Sequence, residues 1–229
     1  MRVYMESQQW HDVQPKMHGV YGWMAVALAV TSTIAYLVSQ SPTIITAIYT
    51  NSWLLFGLII GQLALVLALT LMVYRLSPAA ALAGLMLYAA LNGFILSSIF
   101  IVYNFASIVG AFITTTCMFA AMALYGYFTD TDLSRMGNLL LMALLGVIIA
   151  MFVNMFLKSS RLDFFVSCAA VVIFTLLIAY DTQRIKALLA QVPESLRIQV
   201  SVVGALILYL DFVNLLLNLL RLMGARRQD

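Results

Sequence analysis

Charge is what this sequence has least of. Lys, Arg, Asp and Glu make up 9% of its 229 residues, against about 25% in a soluble domain, so a water-facing surface cannot be built from it. The net charge is +3, from 12 basic and 9 acidic residues. That excess is too small and too scattered for nucleic acid, which calls for a clustered basic face. Only two histidines occur, His11 and His18, both in the N-terminal segment. Their position excludes an intramembrane Ser–His protease and a His-Glu-x-x-His zinc site. Cysteine is limited to Cys117 and Cys168, each inside an apolar run and neither in a metal-spaced pair. Both read as small buried hydrophobes, and the redox compartment stays open. No period of 20–50 residues recurs, which excludes a repeat array.

What fills the chain instead is apolar: 64% of residues, with a mean hydropathy of +1.02. That is about 147 residues, and seven membrane spans of ~20 would use about 140. Little remains beyond short loops, so the sequence predicts an all-α polytopic membrane protein. The spans are expected at Val20–Val38, Trp53–Tyr74, Ala79–Val102, Ser107–Phe128, Leu139–Leu157, Phe164–Tyr180 and Val200–Leu220. Turn or charge signals fill the gaps: Ser41-Pro42, Ser77-Pro78, Tyr103-Asn104, Asp130-Thr-Asp132, Lys158–Asp163 and Gln191–Arg197. The first run is too long for a cleavable signal's 7–15-residue apolar region. The organisation is thus a polar cytoplasmic tail (1–19), a seven-helix membrane domain (20–221) and a short basic tail (222–229).

Orientation follows from the bias of basic residues toward cytoplasmic loops. With the N-terminus in the cytoplasm, Arg2, Lys16, Arg75, Arg135, Arg184, Lys186 and Arg197 lie inside. Lys158, Arg161, Arg221, Arg226 and Arg227 then lie outside. The first two outer loops carry no charge, which favours this arrangement, while the basic C-terminus favours a six-span form with both ends inside. Small residues let helices approach closely, and Gly57-x-x-x-Gly61 fits such a contact within ordinary interior packing.

Seven of the nine acids fall in tails or loops; Asp181 and Asp211 lie in or against apolar spans. An ionised Asp at a span's centre costs about 2.5–3.5 kcal/mol on insertion scales and is by default a functional candidate. Asp211, Asn214, Asn218 and Arg221 follow one helical face, a polar stripe that must meet protein or water. The sixth span runs inward and the seventh outward, so the two carboxyl groups can share the inner half of the membrane. In contact they cannot both ionise cheaply and would share a proton. Such a pair responds to pH and attracts a cation once deprotonated. The plainer reading is that each Asp only pins helices through hydrogen bonds. Arg75, at the end of the second span, reads either as a snorkelling anchor or as a counter-ion to the pair.

Tyr180-Asp-Thr-Gln-Arg-Ile-Lys186 and Leu208-Tyr-Leu-Asp-Phe-Val-Asn-Leu-Leu-Leu-Asn-Leu-Leu-Arg221 resemble the paired late motifs of the Bax inhibitor family, the transmembrane Bax inhibitor motif proteins. So do Ala90-Leu-Asn-Gly-Phe-Ile-Leu-Ser97, Tyr125-Gly-Tyr-Phe-Thr129 and Thr131-Asp-Leu-Ser134. The likeness runs from about Gly19 to Gly224. It implies seven helices with the seventh central, and a pH-dependent calcium leak in bacterial members. It implies that Asp181 and Asp211 are the pH sensor and cation gate, transient ligands of calcium, and that Arg75 latches onto them. It also implies a home in a bacterial inner membrane. Where many relatives carry Lys in the loop after Tyr125, this chain has Asp130 and Asp132, which makes the inner mouth more acidic. Eukaryotic relatives are linked to suppression of cell death, and some bacterial ones to control of a membrane protease.

The expected activity is therefore a pH-sensitive cation leak, with calcium as permeant ion, protons as regulators, the bilayer as surroundings and no cofactor. The alternative is a regulator that binds a membrane protease or another membrane protein without conducting ions. An enzyme is not expected. An intramembrane aspartyl protease would need Gly-x-Gly-Asp where this chain has Leu208-Tyr-Leu-Asp211, and its Pro-Ala-Leu signature is absent. A retinal protein needs a Lys within the membrane, and Lys16, Lys158 and Lys186 fall near or beyond span ends.

Overall fold

The computed structural model describes residues 2–225, with side chains described from Met17 onward. Regular structure among the described residues is helical: α1 (Arg2–Ser39), α2 (Pro42–Thr50), α3 (Ser52–Leu71), α4 (Pro78–Leu96), α5 (Ile99–Val102), α6 (Phe105–Phe128), α7 (Ser134–Leu157), α8 (Ser160–Gln191) and α9 (Arg197–Met223). Among the described residues, seven stretches are long and apolar enough to cross a membrane: Met17–Ser39, Ser52–Leu71, Pro78–Val102, Phe105–Phe128, Ser134–Leu157, Ser160–Gln191 and Glu194–Met223. Each contains or closely matches one expected span.

Polar residues between the spans become caps. The Asn51 side chain accepts from Trp53 N at 3.1 Å and Leu54 N at 3.3 Å, opening α3. Ser77 accepts from Ala80 N at 3.2 Å and is followed by Pro78, whose missing N–H costs nothing at a helix start. Asn104 opens α6 by accepting from Ser107 N at 2.8 Å. Lys158 ends α7 in the left-handed region, with φ of 50°.

Five features differ from expectation. The Ser41-Pro42 gap holds a further helix, α2, because Pro suits a first helical turn as well as a break. The segment read as a polar tail is continuous with the first span in α1. The sixth helix runs eleven residues past Tyr180, since Thr182–Gln191 contains no helix breaker. Gly57 and Gly61 face open space, with no atom within 4 Å of a built Cβ. Their helix is 6% buried over its most apolar stretch, so they do not make the expected interior contact. Cys117 is likewise exposed and Cys168 half-buried, which a lipid-facing helix surface tolerates for an apolar thiol.

The chain divides into two compact units. The first comprises residues 1–102 with 186–209, the second 103–185 with 210–229. In the first, Gly93 lets α4 approach α1: a Cβ there would lie 2.9 Å from Thr31 O and 2.8 Å from Ile34 Cβ. A buried polar knot sits beside this contact. The Tyr209 hydroxyl shares a 2.7 Å hydrogen bond with Thr31 Oγ1 and accepts one of 2.7 Å from Asn92 Nδ2. Thr31 also donates to Ala89 O at 2.9 Å, and the Tyr88 ring stands edge-on to Tyr209 at 5.8 Å. In the second unit, Phe212 stands edge-on to both Phe112 and Phe119 of α6, at 5.5 and 5.7 Å. The last span is the most buried of the seven, 78% over its apolar stretch.

Candidate functional site

Asp181 and Asp211 both belong to the second unit, and their side chains come within hydrogen-bonding reach of each other. Asp181 is 7% exposed and Asp211 6%. Packing holds them there. On α8, Ala179 presses its backbone against Gly126 of α6, where a Cβ would lie 2.8 Å from Ala179 Cα. Tyr180 covers Gly137 of α7, where a Cβ would meet the phenol oxygen at 2.6 Å. On α9, the residue next to Asp211 is Phe212, seated between the two phenylalanines of α6. Two acids thirty residues apart in the chain thus meet because small and aromatic neighbours fix both backbones.

The electrostatics are one-sided. Arg184, one turn beyond Asp181 on α8, brings Nη1 to 4.0 Å from Asp181 Oδ1 while most of its side chain stays exposed. Asp211 Oδ2 is buried and has no hydrogen-bond partner in the protein. Along the expected stripe, Asn214 donates to Leu210 O and Asn218 to Asn214 O, each at 2.8 Å. These amides satisfy carbonyls of their own helix, and Asn218 Oδ1 remains a buried acceptor without a donor. Asn218 lies two helical turns from Asp211, about 10 Å along the axis. Arg221 is exposed at the helix end. Among the described residues no cluster of three or more His, Cys, Asp or Glu side chains forms. A closed calcium site takes six to eight oxygens, so the two carboxyls suit passing contact rather than tight capture.

Arg75 lies in the first unit, exposed in the turn after α3, its backbone N–H bonded to Met72 O at 2.8 Å. Sequence reasoning weighed Arg75 as an anchor or a counter-ion and passed over Arg184, whose spacing of three from Asp181 was the available signal.

Gln183 was missed as well. Its amide clamps the α6–α7 loop at both polar atoms: Oε1 accepts from Leu133 N at 2.9 Å, and Nε2 donates to Thr131 O at 2.9 Å. The same loop carries Asp132, whose Oδ1 accepts from Ser134 N at 2.9 Å. That bond and the Ser134 hydroxyl hold its carboxyl below the usual range.

The motif likeness noted in the sequence extends to whole chains. The family described as "Inhibitor of apoptosis-promoting Bax1" matches residues 13–228. The inner membrane protein YbhL of Escherichia coli K12 is 48% identical over 219 residues, covering 94% of this chain and 93% of YbhL. A protein of Borreliella burgdorferi is 44% identical over 212 residues, 92% of this chain and 91% of that one. A protein of Deinococcus radiodurans is 37% identical over 227 residues, 98% and 97% respectively. Matching over nearly its full length, with both Asp-bearing motifs inside the matched region, this chain is a member of the Bax inhibitor family.

Proposed function

We propose that this protein is a pH-gated cation leak, with calcium as permeant ion and the Asp181–Asp211 pair as its gate. The observation that supports this reading is the meeting of two buried carboxyl groups on consecutive membrane-crossing helices. While they share a proton the pair carries about one negative charge, a hydrogen bond joins α8 to α9, and Arg184 offsets the charge. Loss of that proton sets two negative charges side by side. Unit charges 4 Å apart repel by about 4 kcal/mol at an effective dielectric of 20, enough to favour separation of the helices. The separated carboxylates and the free oxygen of Asn218 then offer a cation weak, successive contacts, which a leak requires.

The seventh helix as the axis of the bundle is part of the same proposal, supported by its burial. A bacterial inner membrane location is carried over from YbhL. A closing role for Arg75 rests on the family resemblance alone. We read the chain as no enzyme and as needing no cofactor.

The test is calcium entry into liposomes that hold only this protein, between pH 5 and 8. Entry that rises with pH supports the leak. Inert liposomes across the range overturn it and favour a regulator that works by binding a membrane protease or another membrane protein.

A further inference from the structure

A pocket of about 220 Å³ opens in the second unit, where α7 ends, α8 begins and α9 ends. Its walls are Met151, Asn154 and Met155 of α7, Asp163 and Val166 of α8, and Arg221 of α9. None of these residues belongs to the carboxyl pair. Charges of opposite sign therefore line one cavity. Yet among the described residues no ion pair joins Asp163 to Arg221.

Separated charges near a membrane are costly unless each finds a partner. One occupant that carries both an anion and a cation satisfies both walls at once. Depth supports an order for the two. Asp163 precedes Asp181 by eighteen residues on α8, and Arg221 follows Asp211 by ten on α9. At 1.5 Å per residue these are about 27 and 15 Å. Counted along the helices, the backbone of Arg221 is thus nearer the level of the carboxyl pair than that of Asp163. A phospholipid headgroup has the same order, with phosphate nearer the acyl chains and the amine outermost. Guanidinium suits phosphate through paired N–H donors. Asn154 Oδ1 already accepts from Ser159 N at 3.0 Å, so its amide N–H groups are left to donate.

We propose that this pocket binds the headgroup of a zwitterionic phospholipid, with Arg221 on the phosphate and Asp163 on the ammonium of phosphatidylethanolamine. A lipid is favoured over a soluble phosphoethanolamine because Met151, Met155 and Val166 add apolar wall beside the charges. Met155 is 60% exposed at the helix surface, where an acyl chain would lie. The volume is also below the roughly 300–1,000 Å³ of a drug-sized ligand site, which suits a headgroup whose chains remain in the bilayer.

Native mass spectrometry of the delipidated full-length protein, titrated with phosphatidylethanolamine or phosphatidylglycerol, tests this without reading ion flux. Phosphatidylethanolamine should bind roughly fivefold more tightly, the worth of one partly screened ion pair. Asp163→Asn should bring the two lipids level, and Arg221→Gln should weaken both. Helical content by circular dichroism accompanies each variant, so that loss of fold is not taken for loss of binding. Equal affinity for the two lipids in the wild type, or a full preference retained in a folded Asp163→Asn, overturns the proposal. So does displacement of the lipid by glycerophosphoethanolamine at equal concentration.

Discussion

Asp181 on α8 and Asp211 on α9 bring two buried carboxyl groups into hydrogen-bonding reach within one compact unit. Replacing either by Asn keeps the shape and a hydrogen bond while removing a charge. The expected result in detergent is a wild type whose melting temperature falls from pH 5 to pH 8 as the shared proton is lost. Asp211→Asn should show a flatter profile and match or exceed the wild type at pH 8. An identical decline in both would mean that the pair does not carry the pH dependence of stability.

Gly126 and Gly137 probe the backbone contacts that position Asp181. A methyl group at Gly126 meets backbone atoms of Ala179, which cannot turn aside, whereas at Gly137 it meets the end of the Tyr180 ring. Overpacking costs about 1–3 kcal/mol, so Gly126→Ala should fall at the upper end and Gly137→Ala at the lower. Unfolding in graded denaturant checks the order, and the reverse ranking would contradict the close α6–α8 contact.

Gln183→Ala should free the α6–α7 loop. It removes two hydrogen bonds, each worth about 0.5–1.5 kcal/mol net, and leaves the Leu133 N–H and Thr131 carbonyl to solvent. Amide exchange at Leu133 should quicken well above that of the α6 interior. Unchanged protection there would show that the loop is held by other means.

Asp132 gives a pH dependence outside the membrane. Its carboxyl is held low by Ser134, so its contribution is present above the unfolded value, about 3.9, and is lost as pH falls through the lower folded value. Exchange at the first turn of α7, corrected for intrinsic rate, should accelerate on acidification below about pH 4. Asp132→Asn should lack that step, and the same step in the variant would assign it elsewhere.

Tyr209→Phe tests the knot in the first unit. The hydroxyl serves Thr31 and Asn92 together, and burial leaves no water to replace it. A loss of about 1–3 kcal/mol is expected, measured by the same unfolding assay. A neutral effect would mean that the two partners find each other directly.

Much of this was legible in the sequence because a bilayer imposes length and polarity on each segment. Seven apolar runs gave seven spans, and Ser77 and Asn104 became helix caps where turn signals stood. Asp181 and Asp211 stood out by the cost of an acid in an apolar run. What stayed hidden depends on neighbours remote in the chain. Hydropathy cannot say which face of a span meets lipid, so Gly57 and Gly61 were read as interior while Gly93, Gly126 and Gly137 held the close contacts. Gln183 and Thr31 are ordinary polar residues in sequence, and their roles arise only from partners fifty or more residues away.

The most direct measurement is calcium entry into liposomes containing wild type, Asp181→Asn or Asp211→Asn, each followed from pH 5 to 8. A gate made of the two carboxyl groups predicts entry that rises with pH in the wild type and loses its pH response in both variants. A wild-type pH response that survives in either variant would contradict it and place the sensor elsewhere in the protein.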